Sequence, residues 1–91
     1  MHRTWGKPDA NQAAIVAALL RAGVSVLKLS PLGGGCPDLL CSYRGRVTFL
    51  EVKQPGKKLR TSQTSWVASW DPFANIAVVQ TITEAVDVVC R

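Results

Sequence analysis

Apolar and polar positions change period repeatedly along this 91-residue chain, and the changes mark its elements. Ile15, Val16, Leu19 and Leu20 recur at helical spacing and predict a first helix. Asp9 with Gln12 three residues on reads as its capping box, and Arg21 followed by Gly23 as its stop. Residues 24–29 read as a strand. Residues 39–43 form a short apolar strand, Arg44-Gly45 is a turn, and residues 46–53 form a longer strand rich in β-branched and aromatic side chains. Pro55-Gly56 breaks the chain after it. Thr61 is placed to cap a second helix through Gln63, Trp66, Val67 and Trp70. Residues 76–79 are a short buried strand, and Thr83 reads as the cap of a last helix carrying Ala85, Val86, Val88 and Val89. The order αβββαβα predicts an α/β fold, a mixed sheet with helices packed on it. No repeat, low-complexity tract or linker interrupts it, so residues 1–91 read as a single domain.

The hairpin carries the chemistry. Side chains alternate along a strand, so Glu51 and Lys53 share a face roughly 6–7 Å apart, with Val47 and Phe49 lower on that face. In a tight antiparallel hairpin Asp38 lies level with Glu51. Pro37 suits a strand start, and Gly33-Gly34-Gly35 lets the preceding loop approach a ligand. Two carboxylates about 4–5 Å apart repel one another unless a cation lies between them. Mg²⁺ takes oxygen ligands and keeps several waters, so Asp38, Glu51 and the Val52 carbonyl make a candidate set. Such an ion polarises a phosphoryl oxygen and lowers the pKa of bound water. Lys53 is placed to orient that water or offset charge in the transition state.

Glu-x-Lys or Pro-Asp alone is a weak signal, since exposed strands carry such pairs often; their combination behind a glycine run is what points to a nuclease site. The glycines are not a P-loop, because no Gly-Lys-Ser/Thr follows and they lead into a strand. Cys36, Cys41 and Cys90 have no CxxC spacing, and the single histidine, His2, offers no zinc set, so free thiols are expected. Trp66 and Trp70, four apart on a helix, are expected in a core or an interface before a base-stacking role.

Taken together, Asp9-Ala10-Asn11-Gln12, Ser30-Pro31-Leu32-Gly33-Gly34-Gly35-Cys36-Pro37-Asp38, Glu51-Val52-Lys53-Gln54-Pro55-Gly56-Lys57-Lys58, Gln63, Ala77-Val78-Val79 and Thr83-Glu84-Ala85 resemble the PD-(D/E)XK nuclease superfamily. The closest branch is the virus-type replication-repair nuclease (VRR-NUC) family, whose members of this length look like stand-alone phage or prophage enzymes. The resemblance implies a restriction-endonuclease-like core with Asp38 and Glu51 as metal acids and Lys53 as the catalytic lysine. It also implies a role for Gln63, the family's glutamine on the following helix. The family often carries an acid on its first helix; here that place holds Asn11 or Gln12, so Gln12 is a possible site residue as well as a cap. The implied cofactor is Mg²⁺ or Mn²⁺. The implied activity is a structure-selective endonuclease, resolvase-like on Holliday junctions and therefore a two-fold homodimer. A flap nuclease and a catalytically inactive binding module of the same fold are the alternatives.

Charge agrees with a polyanionic partner. The formal net charge is +5, the pI is about 9.6, and basic residues cluster after the site at Lys57, Lys58 and Arg60 and around the turn at Arg44 and Arg46. Both groups are candidate phosphate contacts on branched DNA, which set position rather than sequence. The apolar run at residues 13–20 falls far short of the roughly 20 residues a membrane span needs. The first residues lack an export core, so a cytoplasmic protein is expected; the resemblance to phage or prophage enzymes implies action in a host cell.

Overall fold

The computed structural model describes residues 6–54, 56–70 and 75–91. They form α1 (Gly6–Arg21), β1 (Ser25–Lys28), a 3₁₀ turn (Ser30–Leu32), β2 (Leu39–Tyr43), β3 (Arg46–Val52), α2 (Thr61–Trp70), β4 (Ile76–Val79) and α3 (Ile82–Cys90). The expected break at Pro55 and the features read from residues 1–5 lie outside the described residues. The four strands make one mixed sheet in the order β1-β2-β3-β4. The first three are antiparallel neighbours, whereas β4 runs parallel to β3 and is reached through the connection that carries α2. No described helix is long and apolar enough to cross a membrane.

The β2–β3 turn sets the register on which the rest depends. Arg44 and Gly45 both have positive φ, 51° and 80°. This is the left-handed pair that a two-residue hairpin needs to match the twist of its strands. Tyr43 then pairs with Arg46 and Leu39 with Leu50.

Alternation along the strands divides the sheet into two unlike faces. Leu39, Cys41, Leu50 and Val79 lie on one and are buried beneath Ile15 and Leu19 of α1 and Ala85 and Val89 of α3. Each such side chain contributes roughly 1.5–3 kcal/mol when fully buried. On the other face Leu27, Leu40, Phe49 and Ile76 form one cross-strand row, and Glu51 pairs with Val78 in the next. There the ring of Trp66 meets Phe49 edge to face at 5.3 Å, while Leu27, Val47 and Val78 remain exposed.

Three expectations about helix ends are corrected. Thr81, not Thr83, caps α3: its side chain accepts from the Glu84 backbone N–H, and Glu84 reaches back to the Thr81 N–H, a complete capping box. Asp9 lies inside α1, which already begins at Gly6. Arg60 holds the cap position of α2 and its carbonyl accepts from Thr64 N–H, so Thr61 is the first helical residue.

Candidate metal centre

Extending the β2–β3 register one step beyond Leu39–Leu50 brings Asp38 beside Glu51, as the hairpin spacing predicts. The Asp38 backbone is fixed first, its carbonyl accepting from Leu29 N–H at 2.7 Å. Its carboxylate is then held from two sides. Oδ2 accepts from the Val52 N–H at 2.8 Å and Oδ1 from the Ser30 hydroxyl at 3.4 Å. The N–H and C=O of one strand residue point to the same neighbour, so the Val52 carbonyl faces the flank on which Asp38 sits.

Glu51 is only 4 % exposed. Its Oε2 accepts from Gln63 Nε2 at 2.7 Å and lies 3.8 Å from Lys53 Nζ. Lys53 stays on this face because its own N–H continues the parallel ladder, donating to the Val79 carbonyl at 2.9 Å. Burial pushes the Glu51 carboxyl up to about 7; the Asp38 charge and a hydrogen bond shared with it push the same way, against Lys53 and Arg60. Two carboxyl groups thus meet in a poorly hydrated corner without enough positive charge to ionise both freely. That deficit suits a divalent cation. The oxygen donors here, two carboxylates and a backbone carbonyl, are of the kind a hard ion takes; no group of three His, Cys, Asp or Glu side chains that could hold a metal ion is found among the described residues.

Gln63 is oriented by two bonds. Its Oε1 accepts from the Arg60 N–H at 2.8 Å, one half of a capping box at the start of α2, and this leaves Nε2 to donate to Glu51. The residue is 4 % exposed. Gly35 permits the approach of α2: at φ +80° it lies against Ser62, and a Cβ there would collide with the Ser62 carbonyl. Cys36 lies near both acids, and burial together with their charges raises its thiol pKa. With its sulfur hydrogen-bonded to the Leu29 and Pro37 carbonyls it is a loop residue and not a nucleophile. All three cysteines are free.

A cleft of about 500 Å³ is lined by Val52, Lys53, Gln54, Lys57, Lys58, Arg60 and Asn11; it takes in Lys53 but neither Asp38 nor Glu51. Lys57, Lys58 and Arg60 share this cleft with Lys53, and the Arg60 charge also acts on Glu51. Gln12 is not among the lining residues; Asn11 is, and its amide donates to the Gln80 carbonyl at 3.4 Å. Arg46 lies away from this cleft. Its guanidinium donates to the Val88 and Val89 carbonyls at 2.8 and 3.0 Å, closing the carboxyl end of α3. Arg44 sits over the Tyr43 ring at 5.2 Å. Arg44 lies in the β2–β3 turn and Arg46 at the start of β3, about 17 Å from Glu51 by strand rise. The sequence reading gave no role to Ser30 or to the Gln63–Glu51 contact as such. The first has no local signal, and the second is foreshadowed only by a glutamine one turn into the next helix.

Comparison of the chain with protein-family models, with curated proteins and with solved structures finds no match.

Proposed function

We propose that this chain is a Mg²⁺- or Mn²⁺-dependent endodeoxyribonuclease with a restriction-endonuclease-like core, similar to the VRR-NUC family. The observation that supports it is the convergence at one strand end of Asp38, Glu51 and Lys53, with Lys53 Nζ 3.8 Å from the Glu51 carboxylate. Asp38, Glu51 and the Val52 carbonyl would hold the ion. When bound, the ion supplies charge neutralisation at the phosphoryl group and a more acidic water. Gln63 fixes the rotamer of Glu51, and the Val52 N–H fixes Asp38, so both acids are oriented before substrate arrives. Lys53, largely shielded from solvent, offsets the negative charge that builds on the reacting phosphate. Lys57, Lys58 and Arg60 seat the flanking phosphates in the cleft. The substrate is branched DNA, cut in resolvase fashion by a two-fold dimer that sets two such sites against one junction.

The test is cleavage of a matched panel of junction, flap, nicked and linear duplexes in Mg²⁺ and Mn²⁺, with Asp38→Asn as control and light scattering alongside. Paired nicks in the junction by a dimer support the proposal. A monomer making single flap incisions replaces the resolvase reading with flap cleavage. Equal activity of Asp38→Asn removes the site.

A further inference from the structure

We propose that Trp70, stacked on Trp66 at the outer end of α2, is a platform for an unpaired nucleobase a few nucleotides from the metal centre. This rests on the nuclease reading above and specifies the form of nucleic acid the site accepts. Gln63, Trp66 and Trp70 recur at i, i+3 and i+7 and so form one stripe of α2. The stripe begins at the Glu51 carboxylate, through Gln63. With a rise of 1.5 Å per residue, Trp70 lies about 10 Å further along the helix axis. At the per-strand duplex spacing of about 3.4 Å that distance equals about three nucleotides, and fewer of a more extended single strand.

The two indoles are nearly parallel, 14° apart with centroids at 4.9 Å, and Trp66 is anchored to the sheet by its edge-to-face contact with Phe49. The pair is therefore held in place while Trp70 remains 49 % exposed. What the indole fits is decided by its surroundings. Arg60, the residue before α2, lines a cleft with Lys53, Lys57 and Lys58. Clustered cations together with a stacked aromatic pair are the combination that binds single strands, where phosphates take the charges and base faces take the rings. A paired base within a duplex has no free face, so the occupant is a base exposed at a branch point, a nick or a single-stranded arm.

The test measures binding by the full chain in EDTA, where no cleavage occurs, with three fluorescent probes: an oligothymidylate, an oligomer of equal length made of abasic sites, and a duplex. Wild type is expected to bind oligothymidylate about tenfold more tightly than the abasic oligomer, the scale of one base–aromatic stack. Trp70→Leu, which keeps an apolar side chain and removes the ring, should erase that difference and leave duplex binding and the salt slope within error. Trp70→Phe should restore part of it. Three results overturn the proposal: no preference for bases in wild type, equal losses on all three probes, or a Trp70→Leu protein whose dimer dissociates in light scattering while its base preference persists. The last would make the indole a contact between copies. A chain that prefers bases through Trp70 yet cuts no DNA with any divalent metal overturns the nuclease reading alone. One that cuts but ignores bases overturns the platform alone.

Discussion

The two faces of the sheet are built from alternate residues of the same strands and have opposite character. On the α1/α3 face, Leu39, Leu50 and Val79 meet Leu19 and Val89, and apolar groups bury apolar groups. On the other, Glu51 is buried beside Asp38, and α2 is docked through Gln63 and Trp66. The first face supplies stability. The second gives some of it back by burying like charges, the kind of perturbed environment that clusters at functional sites. Moving one residue along β3, from Leu50 to Glu51, passes from one regime to the other.

The sharpest way to separate the faces is to remove an acid. Asp38→Asn or Glu51→Gln should lower metal-dependent cleavage by at least about 10²-fold, with no loss of melting temperature in metal-free buffer, because one of two repelling charges disappears. A large loss of stability in either variant would show that the pair is structural. The converse change is Leu19→Ala on α1, fully buried and away from the site. It should cost about 2–5 kcal/mol in denaturant unfolding, and the remaining folded protein should keep its metal requirement.

The pH dependence probes the strain on the second face. The folded-state pKa of Glu51, about 7, is raised above its ordinary 4.5. Its contribution to stability is therefore fully present below 4.5 and is lost as pH rises through 7. The metal-free chain should lose on the order of a few kcal/mol between pH 5 and 8. Added Mg²⁺ or Mn²⁺ should restore stability increasingly at the upper end, because the ion competes with the proton. Thermal melts over that range check it, and a metal-independent profile would remove the cation from the site.

Gln63→Ala tests the joint between the faces and α2. It deletes the bond that orients Glu51 and half of a capping box. Turnover should fall more, about tenfold, than the roughly 1 kcal/mol expected of a lost cap; equal losses would make the role structural. The smallest effects separate two groups of cations. Lys57→Ala with Lys58→Ala should flatten the log K against log salt slope for DNA by about 1–2 units. Arg46→Ala should leave that slope unchanged and cost about 1–2 kcal/mol of stability from the open end of α3. A slope that responds to Arg46 instead would move the DNA to the turn end of the sheet.

Much of this was legible along the chain because it depends on local spacing. The β2–β3 hairpin follows from Arg44-Gly45 and the alternation on either side, and once its register is set, Asp38 must lie beside Glu51 with Lys53 on the same face. The cap of α3 has a local signal as well: Thr81-x-x-Glu84 is the capping-box pattern, whereas Thr83 has no Glu or Gln three residues on.

Arg46 and Arg44 read alike as turn cations, and nothing within reach along the chain distinguishes them. Only the docking of α3 over the start of β3 brings two open carbonyls to one guanidinium and leaves the other over a tyrosine ring. The same holds for Asn11 against Gln12: adjacent helical residues point about 100° apart, and the rotation of α1 on the sheet selects which one lines the cleft. The sequence by itself determined the order of elements along the chain, the β2–β3 pairing and the carboxylate pair, because alternation and turn chemistry act between near neighbours. Tertiary structure alone decided which charges are consumed as caps, which are left for a ligand, and which glutamine atom faces the acid, because those depend on groups brought together by packing across long stretches of chain.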